Sequence, residues 1–196
     1  PFFVMSRVDG RVPPDVMPYN FGDSWLHDAD PADQRHLQDA TVDVLARLHA
    51  VDRPAERFSF LVPQTSGATP LRRRVGLTRD WYEFAAADGF PSPLVERGFA
   101  WLDEHWPDDE GEAVLSWGDS RIGNMMFDGF DPVAVLDWEM AGIGPRELDV
   151  AWLIYGHRIF EDLAGQMGLG GMPDFLRLDD VAAGYERLTG HTLRDL

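Results

Sequence analysis

Leu115-Ser116-Trp117-Gly118-Asp119-Ser120-Arg121-Ile122-Gly123-Asn124-Met125-Met126-Phe127, followed by Val133-Ala134-Val135-Leu136-Asp137-Trp138-Glu139, decides how this chain is read. Asp119 sits in a tight Gly-led turn, Asn124 follows five residues later, and Asp137 ends an apolar run soon after. Phosphoryl transfer needs such a set: a carboxylate to orient and deprotonate a hydroxyl, then an amide oxygen and a second carboxylate to hold magnesium on nucleotide phosphates. The assignment that follows is Asp119 as base, with Asn124 and Asp137 as metal ligands. Each half alone has a plainer reading, because Gly-Asp is a common turn dipeptide and Asn-Met-Met-Phe can be turn and core.

Taken together, the two motifs resemble the aminoglycoside phosphotransferase-like branch of the protein-kinase-like fold. That catalytic loop reads roughly His-Gly-Asp, four residues, Asn, with the metal Asp ending the next strand. The chain departs from the pattern at Trp117, where the family usually has His. The resemblance implies an α+β fold: a mostly helical C-terminal lobe with a short β-hairpin at the active site. It also implies an adenine site in which Met126 forms the floor, Leu136 packs against the same cavity, and a hinge binds the purine edge through the Ser6 carbonyl and the Val8 amide. Asp149, early in the next helix, corresponds to an acid that braces the catalytic loop. Its other role, a first-turn acid complementing the helix dipole, is compatible with that. The implied cofactors are Mg2+ and ATP, with GTP as the other nucleotide. The implied partner is a hydroxylated small molecule; relatives of this kind act on aminoglycosides, macrolides, choline, homoserine and hydroxyacyl compounds.

Composition bears on what surrounds the motif. All 17 basic residues are Arg and none is Lys, whereas a kinase-like site pairs the phosphates with a Lys on a small-lobe strand. No glycine-rich hairpin precedes the motif, and the chain opens directly on Phe2-Phe3-Val4-Met5-Ser6-Arg7-Val8-Asp9-Gly10. The expectation is a hinge segment over residues 1–10 and a large lobe over 11–196, cut at both ends, with its small lobe missing. The missing N-terminal lobe of the same protein would then be a partner, and the fragment alone would be inactive.

A chain of 196 residues with 44% apolar content and seven Trp can bury a substantial core. A net charge of −17 disfavours nucleic acid, whose phosphates need a basic face. It favours a cationic acceptor by attraction, although acidic surfaces commonly serve solubility. No apolar run reaches membrane-span length. Zero Cys excludes disulfides and thiolate metal sites and fits a cytoplasmic protein. A P-loop needs Lys, Gly118-Asp119-Ser120 has Asp where a nucleophile elbow has Ser, and Gly142-Ile143-Gly144 lacks the third Gly of a dinucleotide fingerprint. Two rivals from other classes stand beside the phosphotransferase: a non-catalytic kinase-like module that retains its nucleotide pocket, and a metal-dependent phosphohydrolase, which needs a denser Asp/His set.

Periodicity places the elements. Asp30-Pro31 starts a helix with a cap and an N1 proline, and Leu37, Val44, Leu45 and Leu48 share its face up to His49. His49 is expected to cap or pack. Residues 53–71 form an exposed connection. Arg72-Arg73-Arg74 is expected to be a solvated helix start, and Thr78–Ala87 a helix. Ser92-Pro93 opens another that stops before Pro107. Ala113–Trp117 and Val133–Trp138 read as the two buried strands of the hairpin. Ala141 to Trp152 enters a helix. A final helix is capped by Asp179 or Asp180 and ended by Gly190. Arg121 and Glu139 lie beside the site without an assigned role.

Overall fold

The computed structural model describes residues 4–65, 67–87 and 89–196. Pro1 to Phe3, the start of the expected hinge, lie outside the described residues. Helix α1 runs Pro31–His49, α2 Pro54–Arg57, α3 Pro70–Ala87, α4 Pro93–Glu104, α5 Glu147–Gln166 and α6 Leu178–Thr189. Strands β1 (Ala113–Ser116), β2 (Met125–Asp128), β3 (Asp131–Val135) and β4 (Gly142–Pro145) lie between α4 and α5.

α1 begins where Pro31 supplies a preset φ and needs no donor. The Asp30 side chain makes no capping bond; its backbone carbonyl instead accepts from the Asp33 and Gln34 amides. The helix buries Leu37, Thr41, Val42, Leu45 and His49 along one face, while Val44 and Leu48 are partly buried against the same core. α5 contributes Val150, Leu153 and Ile154, and α6 contributes Val181 and Tyr185. Trp117, Met125 and Phe127 of the motif insert between these helices with no exposed surface. The motif is therefore anchored by its own apolar residues, each worth about 1.5–3 kcal/mol on burial. α6 ends as expected, with Gly190 at φ 71° donating to the Glu186 carbonyl at 2.8 Å, the left-handed stop that glycine makes without a Cβ penalty.

The strands are not the single hairpin expected. β1 pairs antiparallel with β4, Ala113 opposite Pro145 and Ser116 opposite Gly142. β2 pairs with β3, with a register shift between Met126 and Phe127. Gly129 and Phe130 turn β2 directly into β3, with Gly129 at φ 60° taking the positive φ that a two-residue hairpin turn asks of its first position. Where helix entry is expected from Ala141, the chain forms β4 instead, and all four of its residues are buried in the pairing with β1. Pro145 is tolerated there because it ends the ladder, where no amide is required. α5 accordingly starts at Glu147, not near Ala141.

Three further expectations change. α3 starts at Pro70 rather than Thr78. α6 has Arg177 at its cap, with Asp179 and Asp180 in the first turn. The three arginines do open a helix, but not as a uniformly solvated run. Arg72 stacks over Trp106 at 4.2 Å. Arg73 donates from Nε to the Gly67 carbonyl at 3.0 Å. Half-buried Arg74 reaches across to the Met140 carbonyl at 3.2 Å.

Candidate active site

Asp149 is fully buried in the first turn of α5 and gathers the motif around itself. It accepts from the Ser116 hydroxyl (2.9 Å), the Trp117 amide (2.8 Å), the Gly118 amide (2.9 Å) and His49 Nε2 (3.0 Å). The Ser120 hydroxyl donates to its backbone carbonyl at 2.7 Å. Burial pushes this carboxyl up, but the bonds from His49, Gly118 and Trp117 outweigh burial and hold it below the ordinary value. His49, expected only to cap or pack, is the one side chain that delivers an imidazole to this carboxylate. Its Nδ1 accepts from the Tyr185 hydroxyl at 2.7 Å, and burial pushes that phenol up to about 12. The chain from Tyr185 through His49 to Asp149 ties α6 and α1 to the turn. Nothing local in the sequence announces it, because its members are contributed by three helices.

Gly118, at φ 94°, makes the turn possible. A Cβ there would overlap the Met140 backbone carbonyl, so both the dihedral and the close approach call for glycine. Asp119 follows, half-buried, with both carboxylate oxygens engaged. Oδ1 accepts from the Trp152 indole at 2.6 Å, Oδ2 accepts from Asn124 Nδ2 at 2.7 Å, and Arg121 Nε lies 3.2 and 3.0 Å from the two. Burial raises the Asp119 carboxyl, but the bonds from Trp152, Arg121 and Asn124 prevail and the net displacement is downward. Arg121 is held in turn by Asp15 from the N-terminal loop. A Cβ on Gly123 would overlap that Asp15 carboxylate, so Gly123 is needed for the loop to close over the motif. Arg121 thereby gains a position the sequence could not assign: it spans Asp119 and Asp15.

Asn124 and Asp137 are joined through the backbone of Leu136. The Leu136 amide donates to the Asn124 carbonyl at 2.8 Å, and the Leu136 carbonyl accepts from the Trp117 indole at 2.8 Å. With both its polar groups tied, Leu136 presents Asp137 next to the Asn124 turn. The indole at position 117, the departure from the family pattern, thus anchors the segment that carries Asp137. Asp137 is exposed and adopts φ 56°, a left-handed conformation uncommon outside glycine and found disproportionately at functional positions. Asn124 spends its amide hydrogens on Asp119, at the backbone carbonyl (3.1 Å) and at Oδ2, which turns its own side-chain oxygen away from that residue. An amide oxygen and an exposed carboxylate, both hard donors, suit magnesium, which commonly takes one or two protein ligands plus phosphates. Among the described residues no three His, Cys, Asp or Glu converge as a metal-holding group, so phosphate oxygens and water would have to complete the coordination.

The residues expected around adenine are less gathered. Met126 and Leu136 are half-buried on β2 and just after β3. Ser6 and Val8 are exposed in the irregular N-terminal segment. That segment is fastened at Arg11, which exchanges both backbone bonds with Phe127 of β2 (2.9 and 2.8 Å) and lays its guanidinium 3.8 Å above the Trp25 ring, whose indole nitrogen donates to the Val12 carbonyl at 3.4 Å. No hydrogen bond joins Ser6 or Val8 to Met126 or Leu136 among the described residues. Glu139 is exposed in the turn before Ala141.

The sequence profile of the phosphotransferase enzyme family (APH) matches residues 1–188, and the chain belongs to this family. The motif and its supporting network lie within the matched residues. A protein from Ralstonia eutropha JMP134 described as an aminoglycoside phosphotransferase is similar in fold, with a TM-score of 0.68 at 22% identity, over 97% of this chain and 55% of that one. A macrolide 2'-phosphotransferase type I gives 0.61 at 20%, over 96% and 55%. Both show the α+β, kinase-like fold. Among curated proteins, the human acyl-CoA dehydrogenase family member 11 is 31% identical over 152 residues, and its chicken counterpart 32% over 153. The chain spans only 18% of the length of either relative. Among the described residues no helix is long and apolar enough to cross a membrane.

Proposed function

We propose that this region belongs to an ATP-dependent phosphotransferase that moves the γ-phosphoryl group to a hydroxyl of a small molecule. The observation that supports the reading is the three-bond chain from Asp119 through Asn124 and Leu136 to Trp117, which sets Asn124 against the Asp119 carboxylate and ties the residue before Asp137 to the same turn. Asp119 receives the acceptor hydroxyl and takes its proton as the bond to phosphorus forms. Its carboxylate is held in one orientation by Trp152, Arg121 and Asn124, so alignment is prepared before the acceptor arrives. The cost of that arrangement is a weaker base, which suits a loose transition state that asks for positioning more than for proton abstraction. Asn124 and Asp137 would hold magnesium, which when bound offsets charge on the phosphates. Asp149 and His49 keep the turn in register.

The nucleotide's adenine would lie over Met126 and Leu136, with Ser6 and Val8 at its edge. A Lys for the phosphates would come from a lobe outside this chain, whose 17 basic residues are all Arg. The long relatives are named for acyl-CoA dehydrogenase, which supports an acyl-bearing alcohol as one acceptor to test. The experiment is transfer of label from γ-labelled ATP by the intact protein to a panel of alcohols, with and without magnesium. Labelled phosphate appearing only as the free anion would favour the phosphohydrolase, and nucleotide binding without turnover the non-catalytic module.

A further inference from the structure

Trp152 has two sides, and only one of them meets Asp119. Its indole nitrogen donates to Asp119, while the ring, 38% exposed, faces outward beside Tyr155 with centroids 5.7 Å apart. Outward lies a cleft of about 840 Å³. α3 lines it with Leu71 and Val75, α4 with Trp101 and Leu102, and α5 with Trp152 and Tyr155. The α5 residues recur three apart, so one exposed face of that helix forms a wall.

Several of the acids of this cleft are already engaged by arginines. Arg194 lies 3.3 Å from Asp109 and 3.9 Å from Glu147. Glu110 accepts from the Trp106 indole at 2.8 Å and faces Arg72 at 3.9 Å. His105 stacks on Trp101 at 4.5 Å. With Asp109, Glu110, Glu147, Asp162 and Asp195 against Arg158 and Arg194, the lining residues carry three net negative charges. An acceptor bearing several ammonium groups needs a carboxylate for each cation, and three of the five lining acids are already engaged by Arg194 and Arg72. An apolar body needs only aromatic and aliphatic walls, which are what the cleft offers.

We infer that Trp152 is a positioning and specificity-determining residue: its indole nitrogen orients Asp119, and its ring is the platform that delivers an alcohol carried on an uncharged, apolar body from the α3–α4–α5 cleft. This inference rests on the proposed phosphotransfer to a hydroxyl. The two uses of the side chain are separable. A phenyl ring keeps the platform and loses the donor; a methyl group loses both.

Isothermal titration with 1,10-decanediol, and competition by kanamycin, reads the platform without any turnover. Phosphorylation of the same diol by the intact protein reads the orientation. Trp152→Phe should hold the diol within about threefold and lower kcat about tenfold with little change in KM. Trp152→Ala should weaken diol binding about tenfold or more, and so should Tyr155→Ala, which leaves the Asp119 contact in place; thermal melts identify any variant that has not folded. Kanamycin displacing the diol, or diol binding indifferent to both Trp152→Ala and Tyr155→Ala, would overturn the inference. Phosphorylation of kanamycin in preference to the diol would overturn it while leaving the phosphotransferase reading intact. Diol binding as described, with no phosphoryl transfer to any alcohol, would sink the phosphotransferase reading and with it the orienting role of the indole.

Discussion

The turn at residues 115–124 and the helix pair α3–α4 are built in opposite ways. The turn is held by a buried carboxylate with four donors, by two glycines whose Cβ atoms would collide with backbone or carboxylate, and by an indole bonded to a strand end. α3 and α4 contain no fully buried residue among those described. They expose Trp81 at 69%, Phe84 at 80% and Leu94 at 70%. A site that must hold reacting groups to a fraction of an ångström is tied down redundantly. The walls of the α3–α4–α5 cleft carry less of the fold's stability, so their side chains can change without unfolding the rest of the chain. Apolar surface left this open is also a common mark of a surface that meets something else.

The contrast is broken most directly at Asp149. Asp149→Ala strands two backbone amides, a hydroxyl and an imidazole in the interior, and should cost about 3–5 kcal/mol, as loss of one partner of a buried pair does. Urea unfolding reads it, and a change below about 1 kcal/mol would mean the turn is held elsewhere. The same carboxylate makes a pH prediction. Its folded-state value lies below the unfolded value of about 3.9. Its contribution is therefore fully present above that value and is lost as pH falls through the lower, folded-state value. Acid unfolding of the wild type should be steep in this range, and Asp149→Asn should flatten it.

Asp119→Asn tests chemistry rather than folding. Turnover should fall 10²–10⁴-fold, roughly the range for loss of a general base, while nucleotide affinity stays within a few-fold. Normal turnover would remove Asp119 from its role. Asp137→Ala should weaken magnesium-nucleotide binding about tenfold, near 1.4 kcal/mol, in calorimetry with and without magnesium. Equal magnesium dependence in variant and wild type would reject Asp137 as a ligand.

Trp117→Phe sharpens the comparison from inside the turn. It keeps an aromatic ring in the core and removes the bond to the Leu136 carbonyl, at a cost of about 0.5–1.5 kcal/mol. The loss should appear both in the melting temperature and in magnesium-nucleotide affinity; a stability loss with unchanged affinity would mean the indole does not help place Asp137. At the far end of the scale, Phe84→Ser on α3 should move unfolding by no more than about 0.5 kcal/mol. A larger loss would show that α3 is bound into the core after all.

The motif residues Asp119, Asn124 and Asp137 and the first-turn position of Asp149 were legible because they lie within 31 residues and mark short strands and a helix start. α1 was legible in the same way, since its buried positions repeat at helical spacing and Pro31 opens it. The strand pairing was not. Four short apolar runs can pair in several ways, and only the Gly129-Phe130 turn and the burial of β4 select β1 with β4 and β2 with β3. The second ring around Asp119 was also out of reach: Trp152 lies 33 residues further along the chain and Asp15 bonds Arg121 across 106. His49 meets Asp149 across 100. Local periodicity reports which face of an element is apolar, because that is a property of neighbours in the chain. Which buried donor finds which carboxylate depends on how three helices pack, and that packing is decided by contacts between residues the sequence keeps far apart.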